Sequence, residues 1–119
     1  MKIYVAAKWE IRELVLLLYD KLRSAGHAIT HDWTGEEKKT LHEHADDDLR
    51  GVLSCDALVI LPHERGKGLY TELGAALATR KRVFVLCKGE SRDWNIFLQH
   101  KSCKYVVSVE ELLTQLSDA

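Results

Sequence analysis

The chain has 119 residues, 46% of them hydrophobic, and its 17 basic and 18 acidic residues leave a formal net charge of -1. This length predicts one domain over residues 1–119 that can bury a core without disulfides or a structural metal. The balanced charge argues against binding to nucleic acid polymers, and no apolar run approaches the roughly 20 residues of a membrane span. The first residues predict a strand rather than a signal peptide, so we expect a cytoplasmic protein with no membrane partner.

The cysteines Cys55, Cys87 and Cys103 form no CxxC pair and are odd in number. This usage predicts reduced thiols packed in or beside strands rather than a disulfide framework.

Strand and helix patterns alternate from the start of the chain. Residues Lys2 to Ala7 predict a short apolar strand, and Glu10 to Ala25 predict a helix that stops at Gly26. The stripe of this helix that faces the core is predicted to contain Ile11, Leu14, Val15, Leu18 and Leu22. His27 to His31 predict a second strand, which the turn residues Asp32 to Gly35 end.

A polar helix is predicted next, from Glu36 to Ser54, with Leu49, Val52 and Leu53 facing the sheet. An apolar strand over DALVILP, a loop with two glycines, a helix over GKGLYTELGAALATR and a second apolar strand over RVFVL then form one βαβ unit.

The chain closes with three shorter elements. Gly89 to Arg92 predict a loop, and Trp94 to Leu98 a short helix. Tyr105 to Val107 predict a fifth strand, and Ser108 caps a last helix. Strands that alternate with helices through right-handed crossovers predict a parallel sheet covered on both faces, a flavodoxin-like α/β sandwich.

Two motifs in the centre of the chain resemble motifs of a known protein family. The pattern D-L-x-G-[VI]-x-x-x-D-A-L-V begins at Asp48, and G-K-G-x-Y-x-E-L-G-x-A-L-A begins at Gly66. In this order they resemble the nucleoside 2-deoxyribosyltransferase family, which includes the 2'-deoxynucleoside 5'-monophosphate N-glycosidases. The resemblance covers about the whole chain. It implies strand order 2-1-3-4-5, a nucleoside or nucleotide substrate, and a homodimer or larger assembly whose sites a neighbouring subunit completes.

Glu72, in the ELG motif, is the candidate nucleophile. Cleavage of an N-glycosidic bond can proceed by carboxylate attack on the anomeric carbon, which forms a glycosyl-enzyme ester. The resemblance gives this part to the motif glutamate. Helix amides and Lys67 are expected to favour its ionised form. The alternative is that Glu72 only complements the helix dipole.

Asp48 is the candidate second carboxylate. In the resembled family an aspartate at this point lies near the sugar hydroxyls and the base, where it can bind the sugar or act as a general acid. Asp46 and Asp47 leave the assignment open, and a solvated acidic helix face is the other interpretation of all three.

The loop between the two central apolar segments is the candidate substrate-binding loop. Gly66 and Gly68 allow close backbone approach, and Lys67 adds a charge that could hold an anion; an ordinary surface turn explains the same residues. His31 and His63 each lie near a predicted strand end and are further candidates to line the pocket.

The segment after the first strand departs from the resembled monophosphate hydrolases. They hold a 5'-phosphate with a Ser-x-Arg step, where this chain has Ala7, Lys8, Trp9 and Glu10. Lys8 or Arg12 could substitute, or the substrate could be a free nucleoside. Trp9 could stack on a base, although burial is the expected role of this side chain.

Two further residues match the family pattern. Tyr4 matches a pocket tyrosine whose hydroxyl could orient the nucleophile, the alternative being a core aromatic. Ser102 matches a serine that the monophosphate hydrolases supply to a neighbouring subunit's site.

A metal site is not predicted. His42, His44 and Asp46 have ligand chemistry, but the i and i+2 histidines of a helix point to different faces, and HExxH is absent.

The sequence therefore predicts an enzyme that cleaves or transfers an N-glycosidic bond and needs no metal or organic cofactor. A catalytically silent nucleotide-binding or signalling module of the same fold is the alternative. A flavin-binding or phosphoacceptor domain is disfavoured, because the first loop has neither a phosphate cradle nor a paired acidic pocket.

Overall fold

The computed structural model describes residues 1–35, 40–89 and 91–118. Five strands form one parallel sheet, and the strands are β1 (Lys2–Ala6), β2 (Ala28–Ile29), β3 (Ala57–Ile60), β4 (Arg82–Leu86) and β5 (Cys103–Val106). Four helices connect or follow them: α1 (Arg12–Ser24), α2 (Leu41–Ser54), α3 (Gly68–Ala78) and α4 (Val109–Ser117). The sheet order is β2-β1-β3-β4-β5, so the predicted flavodoxin-like sandwich and its strand order are confirmed.

The central strands are apolar because both of their faces are covered. Tyr4 of β1 pairs with Leu58 of β3, which pairs in turn with Val83 of β4. All four residues of β3 are buried. Since every strand runs in the same direction, the carboxyl ends of β1, β3 and β4 meet at one edge of the sheet.

The helices form one layer on each face of this sheet. Helices α1 and α4 pack their buried side chains with Ile3, Val5 and Phe84 on one face. Helices α2 and α3 pack on the other face, which contains Tyr4 and Leu58. Right-handed crossovers account for the placement of α1 opposite to α2 and α3, since the chain moves across the sheet in one direction from β1 to β2 and in the other from β2 to β4.

Two helical stripes differ from the prediction. Helix α1 starts at Arg12 after a 3-10 turn over Trp9–Ile11; Leu14 is 53% exposed, whereas Tyr19 is fully buried in the core. In α2, Val52 is buried, but Leu49 and Leu53 are exposed. The wider apolar stripes predicted for both helices are therefore wrong.

Helix α2 is shorter than predicted in the described residues. Its cap is Thr40, whose side chain accepts a hydrogen bond from the Glu43 amide, while Glu43 bonds back to Thr40. This capping box explains a start at Leu41. The first part of the predicted helix, residues 36–39, lies outside the described residues.

Three other elements have bounds that differ from the predicted ones. Strand β2 is only two residues long, and β5 begins at Cys103 and ends at Val106 rather than Val107. The predicted short helix near Trp94 is two 3-10 turns, Arg92–Trp94 and Ile96–Gln99. Asn95 separates them in an extended conformation, and its side chain caps the second turn through the Phe97 amide.

The three cysteines are free thiols, with Cys55 buried and Cys87 and Cys103 partly buried. Among the described helices, none has the length and apolar character needed to cross a membrane.

Candidate active site

A cavity of about 910 Å³ opens at the carboxyl edge of the sheet. The loop after β1, the segment after β2, helix α2 and the start of α3 surround it. Ligands of open parallel sheets bind outside the carboxyl ends of the strands, and the volume is in the range of small-molecule pockets. This cavity is therefore the candidate active site.

Tyr4 and Glu72 meet at the floor of the cavity. The Tyr4 hydroxyl donates a hydrogen bond of 2.8 Å to Oε2 of Glu72. The Tyr4 ring is fully buried in the core on the α2 and α3 face, so only its hydroxyl end is directed to the site. Glu72 is the fifth residue of α3, on the side of the helix that lines the cavity. The pair thus joins the first strand to the third helix.

The protonation of Glu72 differs from the expectation. The pKa of its carboxyl is raised to about 7, chiefly by burial; the Tyr4 hydrogen bond opposes this rise, and the negative charge of Asp48 adds to it. Desolvation of the carboxylate outweighs the helix amides and Lys67, on which the expectation of a readily ionised carboxylate rested. Burial also raises the pKa of Tyr4 far above its ordinary value, which keeps the hydroxyl a donor.

Asp48 lines the same cavity from helix α2. Its Oδ1 lies 3.4 Å from Nε2 of His31, which follows strand β2, and both side chains are partly buried. Asp46 instead pairs with Arg50 one turn further along the exposed face of α2. Of these two aspartates, Asp48 is the one that faces the cavity.

The glycine loop forms the wall opposite α2. Gly66, Lys67 and Gly68 line the cavity, and so does Arg65. A Cβ on Gly66 would lie 2.6 Å from the Leu69 side chain, so any other residue there would displace Leu69. At Gly68 a Cβ would meet open space.

An aromatic wall formed by Trp9 and Trp33 closes another side. Their ring centroids are 6.4 Å apart, and the Trp33 indole donates to the Val5 carbonyl at 2.7 Å. Arg12 lies over the Trp9 ring at 4.4 Å and donates to the Trp9 carbonyl. Trp9 is 42% exposed, so the expectation that it would be buried is wrong. Rigid aromatic surface of this kind suits a planar ligand.

Lys8 also lines the cavity, where its ammonium lies 3.7 Å from the Glu10 carboxylate. Three predicted substrate-binding residues lie elsewhere. Arg12 packs against the Trp9 ring rather than lining the cavity. The exposed His63 ring lies near Trp94, with 6.5 Å between the two ring centroids. Ser102 precedes β5 and is therefore at the opposite edge of the sheet, beyond reach of the cavity of its own subunit.

Sequence reasoning missed some of the lining residues. Trp33 was assigned only to a turn and His44 only to a rejected metal cluster, whereas Arg65 belongs to the loop from His63 to Gly68 that was expected at the site. His31 was predicted to line the pocket because it lies near a strand end, and it contacts Asp48. That position, directly after β2, was the signal available for both His31 and Trp33, because the carboxyl ends of the strands surround the site.

A metal site would need three ligands close together. Within residues 1–35, 40–89 and 91–118, no three histidine, cysteine or acidic side chains are grouped in that way.

The sheet order and the cavity define the class of protein as a flavodoxin-like α/β sandwich with two carboxylates and a tyrosine at its carboxyl edge. No family model matches the chain, and no curated protein matches its sequence.

Solved structures are similar over nearly the whole chain. The CMP N-glycosidase BcmB of Clostridium botulinum has a TM-score of 0.73 at 17% identity, with all of both chains covered. A 2-deoxyribosyltransferase of Bacillus psychrosaccharolyticus has a TM-score of 0.75 at 20% identity, covering 95% of this chain and 90% of that one. A conserved protein of Enterococcus faecalis has a TM-score of 0.72 at 17% identity, covering 99% and 98%. At these identities the likeness establishes the fold, and the predicted resemblance is confirmed at that level.

Proposed function

We propose that this protein is a nucleoside 2-deoxyribosyltransferase-like enzyme that cleaves or transfers the N-glycosidic bond of a nucleoside or nucleoside 5'-monophosphate. The observation that carries the proposal is the meeting of Tyr4, Glu72 and Asp48 in one cavity. Two carboxylates around a sugar-sized space are the groups that glycosidic cleavage requires. The names of two similar structures, an N-glycosidase and a deoxyribosyltransferase, support the same chemistry.

Glu72 is the nucleophile in this proposal. One Oε attacks C1' of the sugar as the bond from C1' to the base nitrogen breaks, and its electron pair leaves with the base. Asp48 accepts hydrogen bonds from the sugar or supplies the proton that the departing base takes up. Water then attacks C1', the ester bond to Glu72 breaks, and the proton released by water restores the acid. In a transfer reaction a second base takes the place of water.

The other cavity walls suggest how the rest of the substrate binds. The Trp9 and Trp33 wall offers a stacking surface for the base. Lys8, Arg65 and Lys67 line the cavity and favour an anionic or strongly polar group. A 5'-phosphate fits this chemistry, although no Ser-x-Arg step is present.

The proposal is tested by incubating the protein with a panel of ribonucleosides, deoxyribonucleosides and their 5'-monophosphates. Chromatography then detects any free base that is released. We expect base release by the wild-type chain and a loss of at least about 1000-fold in Glu72→Gln, which keeps the shape but removes the nucleophile. Glu64→Gln is the matched control, because Glu64 is an exposed glutamate of the loop that precedes α3. Its activity should be unchanged.

The covalent step has its own readout. Acid-quenched wild-type protein should gain the mass of one sugar unit in intact-mass spectrometry, and Glu72→Gln should not. Undiminished base release by Glu72→Gln would rule out the assignment of the nucleophile.

One observation favours the alternative of a catalytically silent nucleotide-binding module. Lys8 is engaged by Glu10, and Arg12 by Trp9, at the place where a phosphate-binding step would lie. Under this alternative, calorimetry would detect nucleotide binding while prolonged incubation released no base.

A homodimer or larger assembly is also proposed, as the resemblance implies. Ser102 lies at the far edge of the sheet from the cavity of its own subunit, so a part in catalysis requires the site of a neighbouring one.

A further inference from the structure

Gly51 lies where three parts of the candidate site touch. It is buried in α2, one turn after Asp48, and faces the Tyr4 ring and the start of the segment after β2. A Cβ at Gly51 would lie 2.8 Å from Cδ2 and 2.9 Å from Cε2 of Tyr4, and 2.9 Å from Cβ of His31. Real Cβ atoms do not approach other carbons so closely, so any side chain here forces a neighbour to move.

Neither neighbour can move freely. The Tyr4 ring is fully buried, and its hydroxyl is bound to Glu72. The contact atom of His31 is its Cβ, which follows the backbone rather than a flexible side-chain end. The Gly51 carbonyl is in turn tied to this segment, because the Thr30 hydroxyl donates to it at 2.7 Å.

We propose that Gly51 is a positioning residue whose missing side chain sets the separation between the helix that carries Asp48 and the Tyr4–Glu72 pair. A methyl group would push the ring or the helix aside, and the two carboxylates would lose their common geometry. The inference rests on the proposed function for its catalytic meaning, but the geometry can be tested without turnover.

The chain offers a matched control. Gly74 lies inside α3, and a Cβ there would meet nothing within 4 Å. Gly51→Ala and Gly74→Ala therefore make the same chemical change within a helix, with the same effect on backbone entropy. Only Gly51→Ala introduces a clash at the site.

The first measurement is an NMR titration of the Glu72 carboxyl in protein labelled with 13C-glutamate, the signal being assigned with Glu72→Gln. Glu72 faces the Tyr4 hydroxyl from β1 and Asp48 from α2. A displaced Tyr4 ring weakens a hydrogen bond that stabilises the ionised form. The titration midpoint of Glu72 should therefore rise by roughly one pH unit in Gly51→Ala and stay unchanged in Gly74→Ala. In a Tyr4→Phe background, Gly51→Ala should add little, because the hydroxyl is already gone.

The second measurement is kinetic. We expect kcat to fall on the order of 10- to 100-fold in Gly51→Ala, with a smaller change in KM, since misplacement of about 1 Å has such effects. Gly74→Ala should stay within about twofold of wild type. If Gly51→Ala does not fold, Thr30→Val is measured instead. It removes the hydrogen bond from the Thr30 hydroxyl to the Gly51 carbonyl without adding bulk. The titration midpoint of Glu72 should then rise as well, by less than in Gly51→Ala.

An unshifted Glu72 midpoint in Gly51→Ala, or in Thr30→Val where that variant stands in, would overturn the inference. An equal shift in Gly74→Ala would do so as well. Absence of base release by the wild-type chain would instead count against the proposed function, and the titration would still decide the role of Gly51.

Discussion

Glu72 is a carboxyl group on which opposing effects nearly balance. Burial and the nearby Asp48 charge favour the protonated form, while the Tyr4 hydrogen bond favours the ionised one, and the resulting pKa is about 7. Both forms are therefore populated at neutral pH. A carboxylate that has lost its water is also a stronger nucleophile than a hydrated one, which suits the proposed attack on C1'.

The acid limb of the pH profile should report Glu72. We expect kcat/KM to rise with pH through a midpoint of about 7, because only the ionised carboxylate attacks. Tyr4→Phe removes the hydrogen bond to the ionised form, so the midpoint should move up by roughly one unit and the rate at pH 7 should fall on the order of 10-fold. The measurement is kcat/KM against pH for both proteins.

Tyr70→Phe is the control for this experiment. The Tyr70 hydroxyl donates to the His63 carbonyl at 2.6 Å, so the same deletion removes a hydrogen bond that does not involve Glu72. An acid limb that is identical in wild type and Tyr4→Phe would contradict the assignment.

The raised pKa of Glu72 also predicts a cost in stability. The folded-state pKa lies above the ordinary glutamate value, so the folded state holds its proton to higher pH than the unfolded chain does. The stability contributed by the protonated form is fully present below the ordinary glutamate pKa and is lost as pH rises through about 7. Glu72→Gln should therefore be more stable than wild type by about 3 kcal/mol at pH 8 and nearly equal to it at pH 4.

Urea unfolding of both proteins at the two pH values measures this difference. A gain of the same size at pH 4 and pH 8 would show that the substitution acts through packing rather than charge.

Helices α1 and α3 are each followed by a residue with left-handed backbone, which is a glycine after α1 and an arginine after α3. After α1, Gly26 has a φ of 91°, and the His27 amide bonds back to the Leu22 carbonyl. After α3, Arg80 has a φ of 60°, and the Lys81 amide bonds back to the Ala76 carbonyl. Left-handed backbone at this point favours glycine, since a Cβ is strained there.

Arg80→Gly should therefore stabilise the fold by about 0.5 to 1 kcal/mol, because relief of the strain exceeds the added entropy of the unfolded chain. Urea unfolding measures the change. Gly26→Ala is the converse control and should destabilise by about 1 kcal/mol. A loss of stability in Arg80→Gly would mean that contacts of the arginine side chain outweigh the strain.

The whole molecule brings the two acidic groups together by the order of its strands. Strand β1 lies between β2 and β3, so Tyr4 is beside the segments that lead to α2 and α3. The site is thus assembled from four elements at one edge of the sheet, while α4 and β5 contribute to the core away from it.

At this scale we predict an assembly of at least two chains. Light scattering coupled to size exclusion should give a mass of at least twice 13.6 kDa. Ser102→Ala should then lower base release without changing that mass, since an exposed serine contributes little to folding. Ser117→Ala is the control, because Ser117 is an exposed serine at the end of α4. A monomeric protein with full activity would contradict the expected sharing of sites.

The sequence predicted the helices and strands well, and their first and last residues less well. Runs such as Ala57–Ile60 are typical of buried strands, and alternation with helices left few topologies. The short β2 was not predictable, because its pairing with the distant strand β1 decides its length. Leu14 shows the same limit, since the packing of α1 against the sheet decided which of its apolar residues were buried.

By itself, the sequence determined the fold class, because hydrophobic periodicity is a local property of the chain. The resemblance carried by its two motifs implied the strand order and made Glu72, Asp48 and Tyr4 the candidates. Only the tertiary structure decided the protonation of Glu72, the contact of His31 with Asp48 and the need for glycine at position 51. Desolvation and close contact depend on groups far apart in sequence, such as Tyr4 and Glu72, 68 residues from one another.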